Sequence, residues 1–438
     1  MNGIYQTGGV IGSLLLPWVA DKWGRKWSLA IPAILILISG AVMTGSMHVA
    51  EFIVFRFFAG AGTWMAAAAS PLMMSELVPA NLRGGLVELH GTYFQSGYTF
   101  AWVGFGCFFW ANSSGAWRVP VAIQCLWPLL FLSGLYFCPE SPRWLVMQGR
   151  DDEAKRVLEK IHTRSSKGRN LADAELLQIQ RQVMIDRELD SSWVQLFKKP
   201  SYRKRAFLGI GTTGIVQFAG VLVINNYGPV IYGLLGYDEQ KRLLYPAIWV
   251  TFGLGLFFVA LFLVDLFPRN RLLAFGMFGC TATLAVEAAL IANFVYQVFY
   301  AICVDGVQFA YLGEIFPTHL RAKGVCLGIA TMSLMNIIWL QSAPTALKNI
   351  EWKIFLIFII LSAFGGVLFL VFWPDTRNMP LEETSALFGD KDEVAVYQNE
   401  LEIDPTTHIA HDRQGPTTIK SDRAKSVERS ESVHVDKA

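Results

Sequence analysis

The sequence predicts an all-α integral membrane protein built as two related helical bundles, and three observations carry that reading. Of 438 residues, 53% are apolar and 16% charged, against about 25% charged in soluble domains. Apolar runs of the ~20 residues needed to cross a bilayer recur along the chain. The chain also contains itself twice. Glu76-Leu-Val-Pro-Ala-Asn-Leu-Arg83 returns, at an offset of 238 in the numbering, as Glu314-Ile-Phe-Pro-Thr-His-Leu-Arg321. Asp21-Lys-Trp-Gly-Arg25 is echoed by Asp265-Leu-Phe-Pro-Arg269 at an offset of 244, and Pro139-Glu140-Ser-Pro-Arg143 by Pro374-Asp375-Thr-Arg377 at 235. Charged turns at one long period, each closing an apolar run, mark duplicated sets of membrane helices rather than a solenoid.

Eleven spans are expected, near 2–20, 28–47, 52–76, 85–110, 118–138, 206–234, 243–265, 272–292, 295–314, 325–347 and 353–373. They divide the chain into an N-terminal bundle (1–138), a cytoplasmic helical linker (139–205), a six-helix C-terminal bundle (206–373) and a cytoplasmic tail (374–438) expected to be disordered. The second half begins at Ala206, with one whole span ahead of the helix that ends at Asp265, whereas Asp21 closes the very first span. Matching the halves therefore predicts a twelve-helix parent in which about 38 residues, carrying a first helix, lie upstream of Met1.

Lysine and arginine set the orientation. With Asp21–Trp27 in the cytoplasm, the inner short loops hold eight (Lys22, Arg25, Lys26, Arg83, Arg269, Arg271, Arg321, Lys323) and the outer ones four (Lys241, Arg242, Lys348, Lys353). Asn112-Ser-Ser, a glycosylation sequon, falls outside. Within the linker, Asp151–His162 reads as an amphipathic helix with Ala154, Val157, Leu158 and Ile161 on one face, and a second helix is expected over Asp173–Arg187.

The net charge of +2 suggests no nucleic-acid partner. The six cysteines lack CxxC or Cys/His spacing and read as packing residues, with no metal site or cofactor expected. No phosphate loop, HExxH or nucleophile–base pair suggests an enzyme, and the start does not resemble a signal peptide.

Ionisable groups inside a bilayer cost about 2.5–3.5 kcal/mol each on insertion scales and usually face the bundle interior. Asp21, Arg25, Arg56, Glu76, Arg83, Glu140, Arg143, Asp265, Arg269, Glu314, Arg321 and Asp375 are read as one set, an inner gate of interlocking ion pairs and helix caps. The bland reading, ordinary basic loops with caps, is weakened by the twofold repetition of acid and base. Glu287 and Asp305 fall within apolar runs and are candidates for titration. For substrate, the helix from Ala206 is loosened by Gly209, Gly211, Gly214 and Gly220. It offers Gln217, Asn225, Asn226 and Tyr227, neutral groups suited to a hydroxylated, uncharged ligand, although such amides also serve as glue between helices.

These motifs resemble the sugar porter family of the major facilitator superfamily, most closely fungal hexose and disaccharide (lactose permease-like) transporters, over roughly Gly8 to Glu383. The matching stretches are Asp21-Lys-Trp-Gly-Arg-Lys, Arg56-Phe-Phe-Ala-Gly-Ala-Gly62, Glu76…Arg83-Gly84, Pro139-Glu-Ser-Pro-Arg-Trp-Leu145, Glu314…Arg321-Ala-Lys-Gly and Pro374-Asp-Thr-Arg…Leu381-Glu-Glu. The resemblance implies a sugar carrier (hexose or disaccharide) working by alternating access in the plasma membrane, with the bilayer as its surroundings and the proton as a candidate partner. It adds Gln95, Phe309 and Asn336 to the substrate positions, and it departs from the family in several places. Val216 replaces one of a glutamine pair, Leu222 the usual Asn, Gly91 a glutamine (Gln95 being one turn on), Phe309 a tryptophan, Met332 an asparagine and Pro268 a glycine. Proton-coupled members share an acid on helix one, which is missing here. A sugar sensor that binds without transport, or an inactive truncated carrier, are the alternatives; binding without uptake would identify the sensor.

Overall fold

The computed structural model describes residues 2–78, 83–109, 117–162, 168–234, 236–286, 290–377, 379, 384–390, 401–403 and 410–412. In the first half α1 (Asn2–Trp23), α2 (Arg25–Gly45), α3 (Val49–Leu77) and α4 (Arg83–Phe109) cross in turn, followed by α5 (Arg118–Ile123) and α6 (Leu126–Leu135). The last span was expected as one helix over 118–138. It turns at Gln124 and Cys125, between Pro120 and Pro128, each of which lacks an amide donor for the ladder.

The linker folds as α7 (Pro142–Met147), α8 (Asp151–His162), α9 (Gly168–Asp186) and α10 (Trp193–Lys198). Ala154 and Leu158 of α8 bury against Ile179 and Val183 of α9 and Trp144–Val146 of α7, a small core of its own. This is the apolar face expected for α8, with Val157 partly buried at its edge.

The second half holds α11 (Pro200–Val216), α12 (Val221–Leu234), α13 (Glu239–Leu263), α14 (Arg269–Ala285), α15 (Leu290–Tyr300), α16 (Gly306–Glu314), α17 (Thr318–Asn349) and α18 (Ile354–Phe372). Two spans are broken. Between α11 and α12 a 3-10 turn, Gln217–Ala219, ends at Gly220 with φ 77°, a conformation that glycine adopts without a Cβ penalty. This is where the sequence expects glycines to loosen the helix. Between α15 and α16 a π-turn, Ala301–Asp305, interrupts the ladder. Eleven spans thus occupy the expected places among the described residues, and eight are long and apolar enough to cross a membrane by length and composition alone.

Within the segment expected to be a disordered tail, the structure describes α19 (Thr384–Leu387) and an antiparallel pair, β1 (Leu401–Ile403) with β2 (Ala410–Asp412). β1 and β2 rest on α9, and Asp390 pairs with Arg205 at 2.9 Å and Lys199 at 2.8 Å. Asn112 and Glu287, and the side chains of Arg83 and Cys107, fall outside what the structure describes. Cys125, Cys138, Cys280, Cys303 and Cys326 are free thiols.

Two seams join the halves: α1 packs on α17, and α4 packs on α13 and α16. By the repeat, α1 corresponds to α13 and α4 to α17. The duplication therefore exchanges one seam for the other.

Candidate functional site

At the inner end of the first half, Arg25 opens α2 with its side chain 1% exposed. Its Nε and Nη2 donate to the two carboxylate oxygens of Glu76, both at 3.0 Å, and Nη1 donates to the Ala20 carbonyl at 2.8 Å. Such a bidentate fork is the strong form of a charged hydrogen bond. Ser141 Oγ also donates to Glu76, and Arg143 donates to the Glu76 carbonyl at 2.7 Å. Glu140 accepts from the backbone N–H groups of Arg25 at 2.9 Å and Lys26 at 3.1 Å. It thereby satisfies orphan donors at the start of α2 and complements the helix dipole.

The second half repeats most of these bonds. Arg269 Nη1 donates to the Val264 carbonyl, its Nη2 to Asp265 at 2.8 Å, and Nη2 lies 3.5 Å from Glu314. Thr376 Oγ1 donates to Glu314 at 2.6 Å, and Asp375 accepts from the Arg269 N–H at 3.0 Å. Ala20 and Val264, Asp21 and Asp265, Glu140 and Asp375, Ser141 and Thr376 are equivalents at the offsets of the repeat.

Each cluster reaches across a seam. Lys323, in the first turns of α17, contacts Asp21 at 3.3 Å, while the Gly85 N–H of α4 donates to Asp265 at 2.7 Å. Gly85 and Lys323 are themselves repeat equivalents, at the same offset as Glu76 and Glu314. Arg321 Nη1 stands 3.8 Å from Glu76. The structure thus brings together Asp21, Arg25, Glu76, Glu140, Arg143, Asp265, Arg269, Glu314, Arg321 and Asp375.

Arg56 does not join them. It lies toward the opposite end of α3 from Glu76, about 30 Å away at ~1.5 Å per residue. There its guanidinium sits over the Tyr5 ring, 5.3 Å from the centroid. Its inclusion with the inner set is corrected: with Asp21–Trp27 in the cytoplasm, the loop between the spans at 28–47 and 52–76 faces outside, and Arg56 lies one turn in from that loop.

The substrate positions divide. Gln217 is buried in the 3-10 break with Nε2 unpartnered, and Asn336 of α17 is buried with both amide atoms unpartnered. Asn225 accepts from Trp102 of α4 at 3.3 Å and Tyr227 donates to the Leu340 carbonyl at 2.8 Å. Gln95 donates across the seam to the Val250 carbonyl at 2.8 Å. Phe309 is buried against His90 and Phe94 of α4. Asn226 is exposed and bonds the Leu222 carbonyl of its own helix at 2.9 Å, which removes it from the central group.

Sequence reasoning missed His90, Gln6 and Ser333. His90 lies between Phe94 and Phe309, and Ser333 donates to Gln6 across the α1–α17 seam at 2.9 and 3.0 Å. The rule that flagged Asp305, a polar group inside an apolar helix, would have found His90. The same rule, extended from ionisable to neutral polar groups, would have found Gln6 within the run at 2–20.

Comparison with known proteins accords with this geometry. Residues 1–388 match the sugar (and other) transporter family, and the chain belongs to that family. It is an integral membrane protein of the major facilitator fold. It is similar to the MFS-type transporter criB of Aspergillus cristatus, 29% identical over 405 residues and covering 88% of this chain and 83% of that one. The high-affinity glucose transporter of Kluyveromyces lactis is 28% identical over 423 residues, covering 87% and 76%. Among solved structures, the proton:xylose symporter XylE, from Escherichia coli, bound to 6-bromo-6-deoxy-D-glucose superposes with a TM-score of 0.77 at 26% identity, covering 88% of each chain.

Proposed function

We propose that the protein carries a hexose or disaccharide across the plasma membrane by alternating access, residues 1–138 rocking against 206–373, with a proton as its co-substrate. The observation that carries the sugar reading is a pair of buried amides with unpartnered polar atoms, Gln217 at Nε2 and Asn336 at both Nδ2 and Oδ1. A buried amide without partners costs about 1–3 kcal/mol, and a ligand with hydroxyl groups, each donor and acceptor at once, removes that cost. Aromatic Phe309 supplies an apolar wall for the CH face of a ring. The proton follows the D-xylose-proton symporter of Escherichia coli, a relative at 28% identity. In this reading the two inner-face clusters form the inner gate, assembled when the inside is shut and separated at both seams when it opens.

Uptake of a labelled sugar panel by a transporter-deficient yeast strain, with surface abundance measured and a protonophore control, tests it. The expected result is protonophore-sensitive uptake of at least one sugar. Gln217→Ala should then weaken apparent affinity by about tenfold at normal abundance, the loss of one or two hydrogen bonds. An unchanged affinity would return Gln217 to packing.

A further inference from the structure

Two intramembrane acids belong to neither inner-face cluster. Glu88 lies on α4, fully buried, and neither of its carboxylate oxygens has a partner. Asp305 closes the π-turn that precedes α16, and its Oδ1 accepts from Gln308 Nε2 at 2.9 Å and from the Tyr300 hydroxyl at 3.3 Å. The two meet across the α4–α16 seam. The Glu88 carboxyl lies against Gly306, the residue after Asp305, and a Cβ at Gly306 would overlap it. One acid comes from each bundle, and the missing side chain at Gly306 is what admits the other.

Among the described residues, none pairs with Glu88 as a counter-ion of its own. Cys303 and Asp305 face Glu88 from the π-turn, and Asp265 and Arg269 bear on it from the inner end of the second half. From α13 it is the Phe257 ring that packs at this level of α4, against Gly91, and His90 stands two residues on. Arg269 is committed to Asp265, Glu314 and the Val264 carbonyl. Tyr98 and Tyr300 are the further titratable groups near Asp305. An ionised Glu88 would therefore be an uncompensated buried charge beside a second acid, an arrangement that costs several kcal/mol. A proton on the pair removes it, since two neighbouring carboxyls titrate as a unit. π-turns inside helices concentrate at functional positions, and an intramembrane acid has a job by default.

We infer that Glu88 and Asp305 form the proton-binding site that couples sugar movement to a proton gradient, one acid from each side of the seam. This rests on the sugar/proton reading above and locates the coupling on α4 and α16, away from the helix-one acid that the resemblance implies for coupled relatives. With the seam closed the pair holds a proton. When the bundles part, α4 leaves α16 and water enters. The carboxyl O–H then gives its proton to a water molecule, leaving carboxylate and hydronium on that side. On the opposite side the carboxylate takes a proton from hydronium and leaves water, so one proton crosses per cycle. The link to sugar is short: Gln308, which holds Asp305, precedes Phe309, whose ring stands 4.7 Å from His90.

The test uses the full chain in proteoliposomes and the sugar that wild type takes up. Wild type should concentrate sugar under an imposed pH gradient, and Glu88→Gln and Asp305→Asn should each lower that by about tenfold or more, while gradient-free counterflow stays within about twofold. Retained gradient-driven accumulation in Glu88→Gln would overturn the assignment. So would equal loss of accumulation and counterflow at normal reconstitution, which would make the pair structural. If wild type moves sugar indifferently to the gradient, the proton part of the proposed function fails with it and the sugar part stands. Infrared difference spectra of the purified protein give a readout independent of transport. A protonated-carboxyl band present in wild type should be missing from Glu88→Gln and Gly306→Ala, and an unchanged band in both would sink the proposal.

Discussion

The two inner-face clusters are the same circuit built to different tightness. In the first half Arg25 grips both oxygens of Glu76 at 3.0 Å and its cross-seam partner is an ammonium, Lys323 to Asp21. In the second half Arg269 divides itself between Asp265 at 2.8 Å and Glu314 at 3.5 Å, leaves its Nε without a partner, and the cross-seam bond comes from a backbone N–H at Gly85. Duplication preserved the topology of the bonds and let their chemistry drift. One latch is therefore a screened ion pair and the other a charge-assisted hydrogen bond that no substitution at its donor position except proline deletes.

The sharpest way to break the comparison is to remove each arginine. Arg25→Ala strands Glu76, whose side chain has no exposure, and should destabilise the protein by about 3–5 kcal/mol. Arg269→Ala should cost less, because its contact with the buried Glu314 is longer, at 3.5 Å, Thr376 still donates to that carboxylate, and Asp265 is 22% exposed and can turn to water. Thermal unfolding of the detergent-purified variants measures both, and equal losses would erase the asymmetry. Next come the hydroxyls. Ser141→Ala and Thr376→Val each delete a hydrogen bond to a charged group, about 1.5–3 kcal/mol. The serine should be the costlier, since its Oγ also caps α7 by accepting from the Trp144 N–H at 3.4 Å. The reverse order would show that the cap contributes nothing.

The smallest effect sharpens the comparison of latches. Lys323→Ala removes a pair worth about 0–1 kcal/mol, so a midplane probe, Thr331→Cys on a background without other cysteines, should react from the cytoplasmic side up to about fivefold faster. Salt should mimic that change in wild type by screening Lys323 from Asp21, with no further effect in Lys323→Ala. An additional salt effect in the variant would mean that the Gly85–Asp265 bond is screened as well.

The circuit was legible in the sequence because charged residues in an apolar chain are few and costly, so a repeated Glu…Arg or Asp…Arg can be aligned by eye. Span positions were legible for the same reason. The alternation of loops also places Arg56 at the outer end of its span, and grouping it with the inner set by charge alone misassigned it. Periodicity sees neither the turn at Gln124–Cys125 nor the π-turn, because each is short and lies inside a run that stays apolar on both sides. Glu88 escaped because it stands soon after Arg83 and reads as part of a charged helix end. Only the packing of α4 on α16 reveals it as buried and unaccompanied.

The segments that finish each circuit lie downstream of the helices they tie: Glu140, Ser141 and Arg143 for the first, Asp375 and Thr376 for the second. The ribosome therefore completes the inner face of the first half once the chain has passed Arg143, and delivers Asp375, the counterpart of Glu140, only after the linker and the whole second bundle have been made. At ~5–20 residues per second that interval is on the order of 10–50 s. For most of it, until Arg321 and Lys323 are made, the first half holds its own arginine and glutamate together without either of them. A chain arrested after Arg143 should accordingly be a self-tied insertion intermediate, whereas one arrested just before Glu140 would leave Glu76 without Ser141 and Arg143 and the start of α2 without its cap.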